Sequence, residues 1–244
     1  MKHFEDFNKE AQQYDKILKR YKEKGEVFTD PFFHPNCNIK EPKVTFNEKE
    51  TIWERIDKYY SAPLFKREAI SENAIQQGEL GTCYFIASLS RIARQPELVE
   101  LLFDTRTKSK NQKGSKSKFY NTINLKCGAV IVYFHVFGRL TPVLIDTLIP
   151  FRRGTRKPKF CHPADIKYSP WFCLVEKAFA KLNGSYSLIS GGTLSSAIYH
   201  LFGYFPCYKK IKSILSKREE ELKKIQEHEK STKPIKFNEN EYLF

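Results

Sequence analysis

Hydrophobic and polar positions along the chain follow a helical period first, then a strand period, then a helical period again. Near the N-terminus, apolar residues spaced by three and four predict one helix that Gly25 ends. The stripe of this helix consists of Phe4, Phe7, Ala11, Tyr14, Leu18 and Tyr21. Residues 28–43 contain three prolines and predict an extended connector, and a short helical stretch is predicted around Trp53–Tyr59.

The segment Gln76–Ala93 changes abruptly from a polar turn to an apolar helix. The apolar stripe of this predicted helix is formed by Phe85, Ile86, Leu89, Ile92 and Ala93. Farther along, the period changes to two or to continuous apolar runs, which predicts strands. The strand candidates are Thr122–Cys127, Ala129–Phe137 and Leu140–Thr147, separated by Gly128 and Gly138.

The helical period then returns. Pro170 begins and Gly184 ends a predicted helix. Its stripe is formed by Trp171, Leu174, Val175, Ala178 and Leu182. A short helix over Leu194–Phe202 and a charged helix over Tyr208–Lys230 follow, and a loosely held tail is expected from Ser231. The order helix, strands, helices predicts an α+β fold.

Composition indicates a folded protein. The 244 residues include 41% hydrophobic and 14% aromatic residues, which excludes an intrinsically disordered chain. The N-terminal residues contain no apolar secretory signal, and the longest strongly apolar stretch, Ala129–Phe137, is too short to cross a bilayer as a helix. We therefore expect a soluble, cytoplasmic protein with no membrane span.

The chain is strongly basic, with 42 Lys and Arg against 28 Asp and Glu and a net charge of +14. This charge raises nucleic acid as a partner. Two basic runs, Arg106–Lys118 and Arg152–Lys159, are punctuated by Gly with Ser or Pro and are typical of solvated loops. No aromatic-interleaved groove joins them, so a nucleic-acid role is the least favoured hypothesis.

Six cysteines are present, at positions 37, 83, 127, 161, 173 and 207. Without an export signal, reduced thiols are expected rather than disulfides. There is no C-x-x-C pair, so the sequence offers no support for a zinc site or a redox dithiol.

Cys83 differs from the other cysteines because it lies at the predicted start of a helix. Thiols at helix N-termini have a lowered pKa and react as thiolates. Gln77, six residues upstream, can place its amide beside the backbone N–H of Cys83, and two such donors can hold an oxyanion. This combination suits acyl transfer through sulfur, although a buried structural cysteine fits the spacing equally well.

The segment QQGELGTCYFIASLSRIA resembles the active-site segment of the calpain family, Q-G-x-L-G-D-C-W followed by an apolar helix. VFTDPFF, VLIDTLIPF and PWFCLVEKAFAKLNGSYSLISGG are similar to three further family motifs, in family order. The resemblance implies a papain-like α+β cysteine proteinase architecture. It also implies Cys83 as the nucleophile and Gln77 as the oxyanion-hole residue.

The family completes its triad with a His in a G-H-A-Y-like strand and an Asn in an N-P-W-G-like turn of a second subdomain, and neither motif is present here. None of the six histidines matches, so no base is assigned. Thr82 replaces the family's acid before the nucleophile, and Tyr84 replaces the Trp after it. Two family calcium carboxylates fall on Ala74 and Ser169, which predicts that this calcium site is lost and that no cofactor is required.

The resemblance therefore implies a calpain-like cysteine endopeptidase of intracellular limited proteolysis. Residues 1–27 are expected to form an N-terminal helical segment, residues 28–206 the nucleophile-bearing catalytic subdomain, and residues 207–244 a charged helix and tail. With the second subdomain expected to be absent, the chain alone is predicted to be inactive. Its expected partners are protein substrates and a chain or domain that supplies the His and Asn. The alternative is a catalytically inactive calpain-like interaction module or truncated remnant.

Overall fold

The structure, a computed structural model, describes residues 4–33, 49–60, 67–103, 125–204 and 218–223. Two compact units divide the chain, residues 1–205 and residues 206–244. Residues 218–223 of the second unit are helical, as the sequence predicted there, and the rest of the predicted helix over 208–230 lies outside the described residues.

The elements of the first unit mix helices and strands, which confirms the α+β prediction. The helices are α1 (Phe4–Ala11), α2 (Tyr14–Lys24), α3 (Cys83–Ala93), α4 (Pro96–Leu101), α5 (Trp171–Asn183) and α6 (Leu194–Phe202). The strands are β1 (Thr51–Arg55), β2 (Ile75–Gln76), β3 (Ala129–Val136), β4 (Arg139–Asp146), β5 (Leu148–Arg152) and β6 (His162–Pro163). Within the described residues, no helix has the length and apolar character that crossing a membrane requires.

The strands of the described part pair as antiparallel two-stranded ladders, β1 with β5, β2 with β6, and β3 with β4. The β3–β4 pair is a tight hairpin that matches Val136 with Arg139 across the two residues Phe137 and Gly138. Both turn residues have positive φ, +49° and +74°, which is the geometry of a type I′ turn.

Helix α5 is the centre of the core. Every residue from Trp171 to Lys181 is buried, because the β3–β4 hairpin and β5 pack along the helix and rings from α3 and α6 pack against Phe179. The ring of Phe179 on α5 stacks on Phe85 of α3, with ring centroids 4.3 Å apart. The stripe predicted for α3 is buried as expected, and Gly184 ends α5 with φ +101°.

Three local predictions were wrong at least in part. The predicted N-terminal helix is interrupted at Gln12–Gln13, so it forms α1 and α2 before Gly25 caps the second. The helical stretch predicted around Trp53–Tyr59 is helical only in part. Residues 53–55 belong to strand β1, because pairing with β5 and contact of Trp53 with Tyr186 outweigh the local pattern, and Ile56–Lys58 form a 3-10 helix. Of the predicted strand at 122–127, the described residues Leu125–Cys127 form a 3-10 turn.

Candidate active site

Residues 77–83 form the turn that leads from β2 into α3, and we call them the nucleophile turn. The backbone N–H of Thr82 donates to the carbonyl oxygen of Leu80 at 2.8 Å, which closes the turn. The carbonyl oxygen of Thr82 then accepts from the N–H groups of Phe85 and Ile86, both at 2.9 Å. These bonds make Cys83 the first residue of the helix.

Cys83 is the exposed cysteine of the described part of the chain, whereas Cys127, Cys161 and Cys173 are buried free thiols. Burial raises the pKa of the Cys127 and Cys161 thiols, which favours their unreactive protonated form. Among the described residues, the backbone N–H of Cys83 has no hydrogen-bond acceptor. The first residue of α3 therefore presents a thiol and an unused N–H donor at the surface.

Gln77 lies at the other end of the nucleophile turn and is exposed. Its side-chain Nε2 donates to the carbonyl oxygen of Leu80 at 2.8 Å, so the amide is folded over the turn rather than extended into solvent. A primary amide carries two hydrogens, and this bond uses one of them. The second remains as a donor on the same turn as the Cys83 thiol.

The buried carboxylate of Glu176 anchors the nucleophile turn by a hydrogen bond. Thr82, fully buried, donates from its hydroxyl to Oε1 of Glu176 on α5 at 2.7 Å. The other carboxylate oxygen, Oε2, accepts the backbone N–H of Cys161 at 3.0 Å. Burial raises the pKa of Glu176, while the bonds from Cys161 and Thr82 oppose that rise. One side chain of the central helix thus fixes the residue directly before the nucleophile.

Tyr84 directly follows Cys83 and contacts residues 189–192. Its hydroxyl donates to the carbonyl oxygen of Ile189 at 3.1 Å, and burial raises the pKa of its phenol. A Cβ atom added to Gly192 would lie 2.5 Å from the Tyr84 ring, so the two residues are in close contact that only glycine permits. The N–H of Gly191 also donates to the carbonyl oxygen of Gly81 at 2.8 Å. The 189–192 turn is thereby fixed to the nucleophile turn.

Gly78 allows a second close approach. A Cβ atom there would lie 2.0 Å from the carbonyl oxygen of Phe160, inside any allowed contact. The N–H of Glu79 donates to the carbonyl oxygen of Lys159 at 3.1 Å, and Gln76 of β2 pairs with His162 of β6. Residues 159–163 therefore run antiparallel to residues 75–79 and support the Gln77 side of the turn.

Among the described residues, no histidine makes a hydrogen bond to Cys83 that would complete a triad. His162 is half-buried, with Nδ1 3.1 Å from the carbonyl oxygen of Phe160. His200 has Nδ1 3.1 Å from the carbonyl oxygen of His135, and burial lowers its pKa. His135 has a buried Nδ1 that makes no hydrogen bond within the described part of the chain. The other three histidines, at positions 3, 34 and 228, lie outside the described residues.

The residues at the expected calcium positions do not fit a calcium ion. Ala74 is buried, and its carbonyl oxygen already accepts the N–H of Ala164 at 2.8 Å. Ser169 is also fully buried and offers no carboxylate. In the described part of the chain, no group of three or more His, Cys, Asp or Glu residues is placed to hold a metal ion. Calcium prefers several hard oxygen ligands that usually include carboxylates, so the loss of the site stays our prediction.

Two features of the site were missed from the sequence, the Thr82–Glu176 hydrogen bond and the contact of Tyr84 with Gly192. The signal for the first was an acidic residue inside the apolar run PWFCLVEKAFAKLNG. A carboxylate on a helix that is otherwise buried needs a hydrogen-bond partner, although the sequence does not say which. For the second, the two adjacent glycines at 191 and 192 were visible, but their neighbour was not.

Comparison with known proteins gives a consistent family. The model of the calpain family of cysteine proteases matches residues 28–236. A calpain of Schistosoma mansoni is 32% identical over 80% of this chain and 24% of its own length. Calpain-5 of Caenorhabditis elegans is 30% identical over 79% of this chain and 28% of its own length. The human calpain-1 catalytic subunit is 28% identical over 79% of this chain and 25% of its own length. The chain thus spans about a quarter of the length of these curated relatives.

Proposed function

This chain belongs to the calpain family of cysteine proteases, and we propose that it is the nucleophile-bearing part of a thiol endopeptidase that makes limited cuts in proteins. Family membership carries a papain-like α+β fold, with which the mixture of helices and strands agrees. The observation that carries the proposal is the exposed Cys83 at the first position of α3, with its N–H unpaired among the described residues.

The proposed reaction begins when the Cys83 sulfur, as the thiolate, attacks a peptide carbonyl carbon. The electron pair of the C=O bond moves to the oxygen, and the backbone N–H of Cys83 and the second amide hydrogen of Gln77 stabilise that oxyanion. Collapse of the intermediate breaks the C–N bond and leaves a thioester on Cys83, which water then hydrolyses. A histidine must protonate the departing amine, since an amide anion is too poor a leaving group.

The structure shows no histidine in contact with Cys83 in the part it describes, and the sequence contains neither the family's His motif nor its Asn motif. We propose that a further domain or a partner chain supplies both residues. Without them, Cys83 and Gln77 form part of a unit whose members act together, and loss of one member of such a unit costs orders of magnitude in rate. We also place the protein in the cytoplasm, a location supported by the free state of the described thiols.

The test compares cleavage of casein and of fluorogenic peptides by the purified chain alone and by the chain mixed with a separately expressed His–Asn subdomain of a related calpain. We expect no cleavage above a Cys83→Ala control for the chain alone, and Cys83-dependent cleavage in the mixture. Robust Cys83-dependent cleavage by the chain alone would contradict the proposed division of the site. If the mixture binds protein partners but shows no such cleavage, a non-catalytic interaction module becomes the better interpretation.

A further inference from the structure

A basic hairpin lies beside the candidate active site. Residues Arg152–Lys159, which we call the basic hairpin, begin at the last residue of β5 and contain five Lys or Arg residues among eight and no acid. Residues 152–157 are exposed. Nothing in the proposed reaction uses these charges.

Hydrogen bonds hold the backbone of the basic hairpin in one shape. The N–H of Arg152 donates to the carbonyl oxygen of Lys157 at 3.1 Å, and the N–H of Lys159 donates to that of Pro150 at 2.7 Å. The Tyr60 hydroxyl donates to the carbonyl oxygen of Arg156 at 3.3 Å. The positively charged side chains therefore extend from an ordered backbone, which reduces the conformational entropy lost when they bind a partner.

The basic hairpin is joined directly to the nucleophile turn through Glu79. The carboxylate of Glu79 lies 2.9 Å from Nε of Arg152 and 3.6 Å from Nζ of Lys159. The backbone N–H of the same residue donates to the carbonyl oxygen of Lys159 at 3.1 Å. Glu79 is two residues from Gln77, so the basic hairpin borders the Gln77 side of the site.

The charge of the basic hairpin is only partly neutralised. Glu79 engages Arg152 and Lys159, and these two cations are committed to holding the hairpin on the turn. The side chains of Arg156 and Lys157 are exposed and make no ion pair with any carboxylate in the described residues. Two positive charges are thus available to a ligand at this edge.

From this juxtaposition we infer that Arg156 and Lys157 bind acidic side chains of a protein segment that enters the site on the Gln77 side, so that the preferred substrates carry Asp or Glu next to the cleaved bond. The inference rests on the proposed function. A peptide fits better than a nucleic acid, because the basic hairpin contains no aromatic residue on which a base could stack. Two unpaired cations also fall short of the several phosphate contacts that nucleic-acid affinity requires.

The test measures binding of a fluorescein-labelled peptide rich in glutamate, and of its glutamine counterpart, to the full chain carrying Cys83→Ala. The test variant adds Arg156→Glu and Lys157→Glu. The matched control adds Lys16→Glu and Arg20→Glu, which make the same charge change at exposed positions of α2. Exposed ion pairs contribute about 0.2–1 kcal/mol each, so the loss of two of them predicts a roughly two- to thirtyfold weaker Kd. Repulsion by the two new acids adds to this loss in the test variant, whereas the control should keep the Kd of its parent. The difference should shrink at high salt.

A second readout locates the bound peptide. In the chain with native Cys83, the glutamate peptide should slow alkylation of Cys83 by iodoacetamide, and the glutamine peptide should not. The Arg156→Gln, Lys157→Gln variant should lose this protection without the added repulsion of new acids. Equal binding of the two peptides, or retained protection in that variant, would overturn the inference.

Two further measurements distinguish an acidic protein segment from other anionic ligands. If a single-stranded oligonucleotide or an anionic lipid vesicle binds through the basic hairpin more tightly than the glutamate peptide, the assignment to acidic protein segments is wrong. Peptide affinity is measured in the Cys83→Ala chain, so a failure of cleavage leaves that result standing. Conversely, a failure of peptide selectivity leaves the Cys83 chemistry to be judged by its own assay.

Discussion

The substitution Thr82→Val tests whether the buried carboxylate of Glu176 holds the nucleophile turn in place. Valine replaces the threonine hydroxyl by a methyl group of similar size, so it opens no cavity at this fully buried position. What it removes is the 2.7 Å hydrogen bond to Oε1 of Glu176. The Oε2 bond from the N–H of Cys161 is left unchanged.

The size of the effect depends on the charge of Glu176. A hydrogen bond between neutral groups contributes about 0.5–1.5 kcal/mol to stability, and one to a charged group about 1.5–3 kcal/mol. Burial raises the pKa of Glu176, and the bond from Thr82 is one of the contacts that favour its ionised form. Thr82→Val should therefore lower the free energy of unfolding by about 1 kcal/mol in acid and by about 2 kcal/mol or more once Glu176 is ionised.

The assay is urea denaturation of the two proteins across a range of pH, with Thr141→Val as the matched control. Thr141 is equally buried, but its hydroxyl donates to a neutral carbonyl, that of Arg139, at 3.3 Å. The control should lose less stability, and its loss should not grow with pH. If Thr82→Val costs no more than the control, or if its cost is the same at every pH, the carboxylate does not anchor the turn.

Three other predictions concern the same region. Brief iodoacetamide treatment of the folded chain should label Cys83 before any of the buried described thiols, and mass-spectrometric mapping in which one of those reacts first would remove the support for its role. Glu176→Gln should change the pH dependence of stability. Because the pKa of Glu176 is raised, the folded state keeps its proton above the ordinary pKa of 4.5, so the stability of the wild type relative to the variant should fall as pH rises from 4.5 through the raised value. A wild-type advantage in urea midpoint that grows with pH would contradict this. Because Ala74 and Ser169 offer no carboxylate, melting curves with millimolar calcium and with chelator should nearly coincide, and a large upward shift with calcium would show that other ligands bind it.

The helices around the site could be predicted because their signals are local. The stripe of α3 and its start at Cys83 follow from the spacing of apolar residues, and the bounds of α6, Leu194–Phe202, are those predicted. Gly25 and Gly184 marked helix ends correctly because each adopts a left-handed conformation that other residues rarely do.

The strands and the support of the turn depend on residues far apart in sequence, which a single sequence does not connect. Strand β1 exists because Thr51–Arg55 pairs with Leu148–Arg152, almost a hundred residues away. Its local pattern indicated a helix instead. The Thr82–Glu176 bond likewise joins residues on two distant segments, so the sequence showed both residues without showing that they meet.

The charged residues of α5 explain how one buried helix positions several other elements. Glu176 accepts from Thr82 in the nucleophile turn, and Lys177 pairs with Asp146 at the end of β4. Lys181 donates to Asp30 and to Glu10 of α1, with both distances 2.7 Å. Burial lowers the pKa of Lys177, which shows the desolvation cost that such pairs carry, and the nearby carboxylate of Asp146 opposes it.

Apolar residues of similar volume could often fill such positions with equal or greater stability, so overall stability does not account for these charges. We interpret them as fixing register. An apolar core tolerates a small sliding of one element past another, whereas a buried lysine that leaves its carboxylate becomes an unpaired charge in the core, at a cost of about 3–5 kcal/mol. Lys177 and Lys181 hold α5 against the end of β4 and against α1. Glu176, adjacent on the same helix, is then held at a fixed position relative to the nucleophile turn. Its hydrogen bond to Thr82 sets where Cys83 begins α3.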